Sequence, residues 1–320
     1  MTIATSAFST FSAVGNREDL TDAIYRIDPT DTPFWTGIER EKADAVNHEW
    51  QTQALAPASS SNAQLEGDDS YAADAATATA RLGNICQISR KVPRVTGTQR
   101  VVDHAGRGDE MDYQKMLKGM ELKRDIESIL LANTAKVTGN SSTARKLASV
   151  LSWITTNTDK GGGTGADPTA ADGSIARVDS ATQRAFTEAQ LKNVLQKIWI
   201  AGGKPGTVMV GAFNKQAASL FTGRGTPMQD QTDRKVTAVV DVYESDFGRL
   251  KLVPNRFMRT RDALVLQMDM WAWAPLPGRS MVSFPLAKTG DTDAATILAE
   301  ATLVSRNEKA SGGIFDLTSS

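Results

Sequence analysis

Residues 109–133, DEMDYQKMLKGMELKRDIESILLAN, form the longest stretch of this chain that has a helical pattern. Asp109 is placed to cap the first turn, and Asp112, three residues later, is placed to return a hydrogen bond to the cap. Acidic side chains at this end also suit the positive end of the helix dipole. The stretch therefore predicts a helix of about 37 Å, at roughly 1.5 Å per residue.

This predicted helix has two apolar sides. At 100° per residue, one side carries Tyr113, Met116, Leu117 and Met120. The opposite side carries Met111, Leu122, Ile126, Ile129 and Leu130. A helix on the surface of a protein needs only one apolar stripe. We therefore expect this helix to run as a spine between two structural layers.

Composition and charge limit the classes of function. The 320 residues are 40% hydrophobic, which is enough for a core in one or two domains. The 36 basic and 37 acidic residues give a net charge of −1, so no overall basic field attracts nucleic acid or acidic lipid. One cysteine, Cys86, excludes an intrachain disulfide framework and fits the bacterial cytoplasm. Neither a signal peptide nor a long uncharged apolar run is evident, so we expect a soluble protein without a membrane role.

The first 42 residues are expected to form an extended N-terminal arm. Residues 1–40 are rich in Ser, Thr and Asp, and only 17–27 has helical spacing. The arm carries four aromatic side chains, namely Phe8, Phe11, Phe34 and Trp35. It cannot bury these rings within itself, so we expect it to lie along the body of the protein or along a neighbouring subunit.

A long hairpin is expected after the arm. Residues 46–55 alternate as one strand, and residues 77–95 read as a long return strand. Residues 56–76 between them are small and polar, so the tip should project. The tip region carries the acids Glu66, Asp68, Asp69 and Asp74, and the return side carries the bases Arg81, Arg90, Lys91, Arg94 and Arg100. Both a solvated hairpin and a contact between subunits fit this polarity.

The second half of the chain mixes helices and strands. A Gly- and Thr-rich stretch at 155–180 predicts a loop, and Thr187 with Gln190 forms a capping box for the next helix. A strand at 207–211 then leads into a short helix opened by Asn214.

Alternating strands and turns fill residues 236–284, and a strand at 294–305 precedes a short tail. A group of bases without acids lies in the first of these regions, namely Arg249, Lys251, Arg256, Arg259 and Arg261. Contact with a phosphate backbone and pairing with acids of the next subunit both fit this group.

No catalytic constellation is evident. His48, His104 and Cys86 cannot build a structural zinc site, and Cys86 lies in an alternating strand that favours packing. The glycine-rich stretches at 161–165 and 202–207 do not complete a nucleotide-binding motif. We therefore expect a protein that is not an enzyme and has no catalytic, cofactor-binding or metal-binding residues.

Four segments together resemble a known family. They are GNREDLTDAIYRIDPTDTPFWTGI (15–38), VMVGAFNKQAASLF (208–221), VVDVYESDFGRLKLVPNRFM (239–258) and AKTGDTDAATILAEATLVSRNEKASGGIFDL (287–317). In this order they resemble the major capsid proteins of tailed bacteriophages with the Hong Kong 97-type fold. The resemblance implies an α+β fold whose parts are an N-terminal arm (1–42), an extended E-loop β-hairpin (43–97), a peripheral domain (98–205 and 285–320) with the spine helix 109–133, and an axial domain (206–284).

The resemblance also implies a function. It implies a major capsid protein of the virion that is assembled in the host bacterial cytoplasm. Such a protein forms hexamers and pentamers of an icosahedral phage head around double-stranded DNA, without sequence specificity. The implied partners are other copies of the chain, a portal complex and a decoration protein. A separate scaffolding protein is implied too, because the arm motif begins at about residue 15 and leaves no long cleaved scaffolding segment.

Fourteen residues are candidates for contacts between subunits. They are Phe8, Phe11, Phe34, Trp35, Glu66, Asp68, Asp69, Asp74, Arg90, Lys91, Arg94, Arg249, Arg256 and Arg259. Some members of this fold cross-link through a hairpin lysine, but residues 56–80 contain no lysine, so we expect no such isopeptide. Two alternatives remain open at this point, namely the shell of an encapsulin-like cellular nanocompartment and a nucleotide-binding enzyme or hydrolase.

Overall fold

A long helix and two six-stranded sheets dominate the described part of the chain. The computed structural model describes residues 28–319, except 68, 70–72, 74, 104–105, 107 and 222–240. Its α-helices are α1 (Pro33–Gly37), α2 (Gly97–Val101), α3 (Glu110–Leu130), α4 (Val150–Trp153), α5 (Glu188–Ile200) and α6 (Ala212–Ser219). The described strands are β1 (Glu39–Arg40), β2 (Asn47–Thr52), β3 (Ala80–Ile85), β4 (Gln87–Lys91), β5 (Arg94–Thr96), β6 (Thr158–Asp159), β7 (Thr207–Val210), β8 (Val242–Ser245), β9 (Gly248–Pro254), β10 (Ala263–Leu266), β11 (Trp271–Pro275), β12 (Val282–Pro285), β13 (Thr292–Ser305) and β14 (Gly312–Ile314).

The first sheet is organised on β13, which confirms the predicted strand near the end of the chain. Strands β11 and β12 pair antiparallel along one edge of β13, and β4 pairs antiparallel along the other. Leu298 shows this arrangement, since it pairs with both Val282 and Arg90. Strand β5 continues the register of β4, and β1 joins the sheet in parallel beside β11.

The second sheet has the strand order β6-β14-β10-β7-β9-β8. Its β14 comes from the segment that the sequence suggested was a short tail, and that interpretation is wrong. Ile314, Phe315 and Leu317 are fully buried. The end of the chain is therefore part of the core.

Helix α5 covers one face of the second sheet. The predicted capping box of Thr187 and Gln190 is present, with the Thr187 N–H donating to Gln190 Oε1 at 3.0 Å. The predicted stripe of Leu191, Val194, Leu195 and Ile198 is buried against Val208, Val210 and other residues of this sheet. Capping and burial together explain why the sequence placed this helix correctly.

Helix α3 confirms the predicted start but not the predicted pair of buried sides. The Met111 N–H donates to the Asp109 carboxylate at 2.8 Å, whereas Asp112 pairs with Lys115 at 3.0 Å instead of returning to the cap. Leu122, Ile126 and Leu130 are buried in the main core. The opposite stripe is half-buried or exposed within one chain, with Met116 at 49% exposed. The spine therefore has one covered side in the described chain.

Two further local predictions are corrected. The predicted single return strand over 77–95 is divided into β3, β4 and β5, and the last two leave the hairpin to pair with β13. Helix α6 begins at Ala212 with Gly211 as its N-cap, so Asn214 does not open it as predicted. The Asn214 side chain is buried instead, and its amide donates to the Thr260 carbonyl at 2.8 Å.

The two sheets also cross the predicted domain boundaries. Strands β11 and β12 fall in the predicted axial segment 206–284, yet they pair with β13 of the predicted peripheral domain. Strand β14 falls in the predicted peripheral segment, yet it pairs with β10. The division into arm, E-loop, peripheral and axial domains therefore stays a prediction, and strand pairing gives no support for its boundary near residue 285.

Candidate assembly surfaces

The first candidate surface is the tip of the β2–β3 hairpin. Strands β2 and β3 pair from Asn47 with Ile85 to Thr52 with Ala80, and every described residue between 53 and 79 is exposed. Leu55 is 96% exposed and Leu65 is 82% exposed. Apolar side chains held this far from the core are suited to contact another molecule.

The root of the hairpin is firmly anchored. The buried Asn84 amide donates to the carbonyls of Leu303 at 2.7 Å and Ala148 at 3.2 Å, and its Oδ1 accepts from the Ala148 N–H at 2.8 Å. The Trp50 ring packs on the Trp153 ring with a centroid separation of 5.4 Å. The root of the hairpin is therefore fixed to the body of the chain.

The structure places the charged residues that were predicted for the hairpin on several different elements. Glu66 and Asp69 are exposed at the tip, and Asp68 and Asp74 lie outside the described residues. Arg81 on β3 pairs with Glu49 of the same hairpin at 2.9 Å. Lys91 on β4 pairs with Asp125 of α3 at 2.7 Å, and Arg100 pairs with Asp293 at 2.7 Å. Arg90 and Arg94 are exposed on β4 and β5.

The later group of bases does not form one face. Arg249 on β9 is exposed and lies 3.5 Å from Glu244. Arg256 is exposed in the connection between β9 and β10. Arg259, in the same connection, pairs with Asp179 and lies 3.3 Å from Asp262. Arg249 and Arg256 are therefore accessible, while Arg259 has partners inside the chain.

Of the four aromatic residues of the arm, two lie in the described part of the chain, and both have contacts within it. Phe34 is fully buried and forms a T-shaped ring pair with Trp271, with ring centroids 6.4 Å apart. Trp35 is partly buried, with the Arg40 guanidinium 4.1 Å above its ring. These two side chains pack on the body of their own chain, which was one of the two expected locations. Phe8 and Phe11 lie outside the described residues.

Glu127 of α3 holds this end of the arm, a role that was not predicted from the sequence. Its buried carboxylate accepts the N–H groups of Phe34 at 2.9 Å and Trp35 at 2.7 Å, and the Asn255 amide at 2.6 Å. Burial raises the pKa of Glu127, and the three hydrogen bonds oppose that rise. The signal in the sequence that could have indicated this role is the position of Glu127 directly after Ile126, which belongs to the apolar stripe of the helix.

Replacing Glu127 with Ala is expected to lower the free energy of unfolding by about 2–4 kcal/mol, because buried donors lose their acceptor. The measurement is urea denaturation at pH 7. Glu121→Ala is the matched control on the same helix, because Glu121 is partly exposed and pairs with Lys118 at 2.7 Å. The control should change stability by less than about 0.5 kcal/mol. Equal effects of the two substitutions would contradict this role of Glu127.

A second candidate surface is an aromatic patch made by Trp199 and Phe247, next to the exposed Ile200 that follows Trp199 in the chain. Trp199 is 59% exposed, Ile200 is 71% exposed, and the Trp199 and Phe247 rings have centroids 5.6 Å apart. A cleft of about 430 Å³ lies beside it, between α5 and the β8–β9 turn. This patch was not predicted from the sequence, although Trp199 and Ile200 fall outside the buried stripe of α5.

Metal-binding clusters and the one cysteine were two possible sources of chemistry among the described residues. No cluster of three or more His, Cys, Asp or Glu among them is placed to hold a metal ion. Cys86 is buried, and burial, reinforced by Glu300, raises the pKa of its thiol to about 11. None of the helices in the described ranges has an apolar stretch that would cross a membrane.

Comparison with solved structures identifies the fold. The capsid asymmetric unit of cyanophage A-1(L) has a TM-score of 0.64 at 12% identity, covering 97% of this chain and 98% of that chain. A phage G structure of gp27 major capsid proteins and gp26 decoration proteins has a TM-score of 0.53 at 10% identity, covering 99% and 100% of the two chains. The α+β fold is thus the Hong Kong 97-type fold of phage capsids, as predicted.

Sequence comparison identifies the family. The major capsid protein of Escherichia phage Phieco32 is 26% identical over 96% of both chains. The family model for the SU10 major capsid protein matches residues 4–318. The chain therefore belongs to the SU10 major capsid protein family.

Proposed function

We propose that copies of this chain assemble into the hexamers and pentamers of an icosahedral phage head that encloses double-stranded DNA without sequence specificity. The observation that carries the proposal is that every described residue between 53 and 79 is exposed, on a hairpin whose root is anchored. A projecting segment with exposed Leu55 and Leu65 gains burial only against another molecule. In this role the chain acts as a structural protein of the virion and not as an enzyme.

The energetics of a shell suit these surfaces. A standard protein interface buries about 1,600 Å², and a subunit in a closed lattice takes part in several, so contacts that are weak individually add together. The accessible candidates for such contacts are Glu66, Asp69, Arg90, Arg94, Arg249, Arg256 and the aromatic patch. A net charge of −1 also limits tight binding of packaged DNA to the shell.

Further partners belong to the same proposal. In the phage G structure, gp26 decoration proteins accompany the gp27 major capsid proteins, which supports a decoration protein for this shell. A separate scaffolding protein and a portal complex complete the assembly, which takes place in the cytoplasm of the bacterial host. The nanocompartment and enzyme alternatives receive no support from the comparisons.

Electron microscopy of the purified protein tests the proposal. The chain is expressed alone and together with the products of its neighbouring genes, and particles are compared. Closed shells or capsomers support assembly, with a larger yield of closed shells when a scaffolding protein is present. Monomers under both conditions would overturn the proposal.

The acidic side chains at the hairpin tip are expected to affect assembly more than folding. We consider the fourfold variant Glu66→Gln, Asp68→Asn, Asp69→Asn and Asp74→Asn. It is expected to keep the melting temperature of the monomer, because an exposed ion pair of an acid with a base contributes only about 0.2–1 kcal/mol. Particle yield should fall, most clearly at low salt, where charges are weakly screened. Sedimentation across a salt series measures the yield. Equal yields at every salt concentration would show that the acids only keep the tip solvated.

A further inference from the structure

A buried ionic cluster joins three parts of the chain that are distant in sequence. Its members are Asp167, Arg177, Asp179, Arg259, Arg261, Asp262 and Asp316. They come from the loop at 160–184 between β6 and α5, from the connection between β9 and β10, and from the segment after β14. We call this group the aspartate–arginine cluster. It fixes the loop to the second sheet.

Several pairs in the cluster have defined partners. Arg261 Nη2 lies 2.8 Å from Asp316 Oδ1, which also accepts the Ser180 N–H at 2.8 Å. Arg177 is fully buried, pairs with Asp167, and lies over the Phe315 ring with its Cζ 3.5 Å from the ring centroid. These contacts hold the loop to the end of the chain.

The remaining contacts hold the loop to the β9–β10 connection through Asp179. Asp179 pairs with Arg259, and one of its oxygens lies 3.8 Å from Arg261 Nη1. Asp179 is 30% exposed, so the pair lies close to solvent.

Asp262 differs from the other carboxylates. Its side chain is 1% exposed, and its ionic contact is Arg259 Nη1 at 3.3 Å. Neither of its oxygens accepts a hydrogen bond from the described residues. Burial raises the pKa of Asp262 to about 7, the charge of Asp179 adds to the rise, and Arg259, Arg177 and Arg261 oppose it.

We propose that Asp262 makes the aspartate–arginine cluster a proton-controlled latch on the loop at 160–184. When Asp262 holds a proton it is neutral, and Arg259 is left to pair with Asp179 of the loop. When the proton leaves to solvent, the charged Asp262 competes for Arg259 and repels Asp179. The latch is then looser, because a buried carboxylate that accepts no hydrogen bond from the described residues is poorly compensated by the nearby arginines.

The direction of the pH dependence follows from linkage. The pKa of Asp262 in the closed latch, about 7, lies above the ordinary value for an aspartate. The stabilisation is therefore complete below that ordinary value and is lost as the pH rises to 7. Because one proton is involved, opening of the loop should increase by up to roughly tenfold per pH unit between about pH 5 and 7, and then level off.

Hydrogen exchange of the full-length purified chain tests this latch. Peptides from residues 160–184 are followed from pH 5 to 8, with rates corrected for intrinsic exchange, and the α5 peptide 188–200 is the internal reference. In the wild type, we expect the corrected exchange rate of the loop to rise with pH relative to that of α5. Asp262→Asn, which is neutral at every pH, should abolish the rise.

Asp246→Asn is the matched control, because Asp246 is exposed in the β8–β9 turn. It should keep the wild-type profile. A rise that persists in Asp262→Asn would overturn the proposal. If that variant does not fold, the wild-type chain still decides, since identical pH profiles for the loop and α5 would also overturn it.

Discussion

Replacing residues 53–79 with Asn-Gly is expected to leave a folded chain that no longer forms closed particles. Thr52 and Ala80 are the last pair of the hairpin, so a two-residue turn closes it without changing the register. The described residues removed are exposed and contribute little burial to the fold. Each subunit would lose the contact that the tip makes with its neighbours. Particle yield should therefore fall by roughly a hundredfold, because the loss is repeated around the shell.

The measurement is particle yield by sedimentation and electron microscopy, beside the melting temperature of the monomer. Ser59→Ala with Ser60→Ala and Ser61→Ala is the matched control, since it keeps the length and charge of the tip. That control should assemble like the wild type. Normal particles from the shortened chain would show that the hairpin tip is not an assembly element.

Replacing Trp271 with Ala is expected to lower the free energy of unfolding by about 3–5 kcal/mol. The Trp271 ring is fully buried in the main core and forms a T-shaped ring pair with Phe34. Its Nε1–H also donates to Ser311 Oγ at 3.0 Å, so the side chain joins β11 to the end of the chain. Truncation leaves a large cavity and removes that hydrogen bond. The expected loss is a large fraction of the stability of a typical domain.

Urea denaturation of the purified chain measures this effect. Trp199→Ala is the matched control, because it removes the same side chain from a position that is 59% exposed. It should change stability by less than about 1 kcal/mol. A similar loss of stability in both variants would contradict the assignment of Trp271 to the core.

The sequence alone predicted the elements whose signals are local. The start of α3 at Asp109, the capping box of α5 and its buried stripe, and the strand β13 all follow from residues within one or two turns of each other. Four segments in family order also indicated the capsid fold. Hydrogen bonds and periodicity at short spacing depend little on the rest of the chain, so these predictions are confirmed.

The candidate contact residues stay a prediction, because their exposure depends on tertiary partners that the sequence does not show. Arg259 and Lys91 looked available in the sequence, yet each has a carboxylate partner inside the chain. The aromatic patch was missed because nothing local shows that Trp199 and Phe247 meet.

Only the tertiary structure decided which distant segments share a core. It took β4 and β5 from the hairpin to β13, placed β14 beside β10, and buried Phe34 under Glu127 and Trp271. Each outcome depends on which surfaces meet across the fold. Local periodicity tells which side of a strand or helix is apolar, but not which other segment covers it.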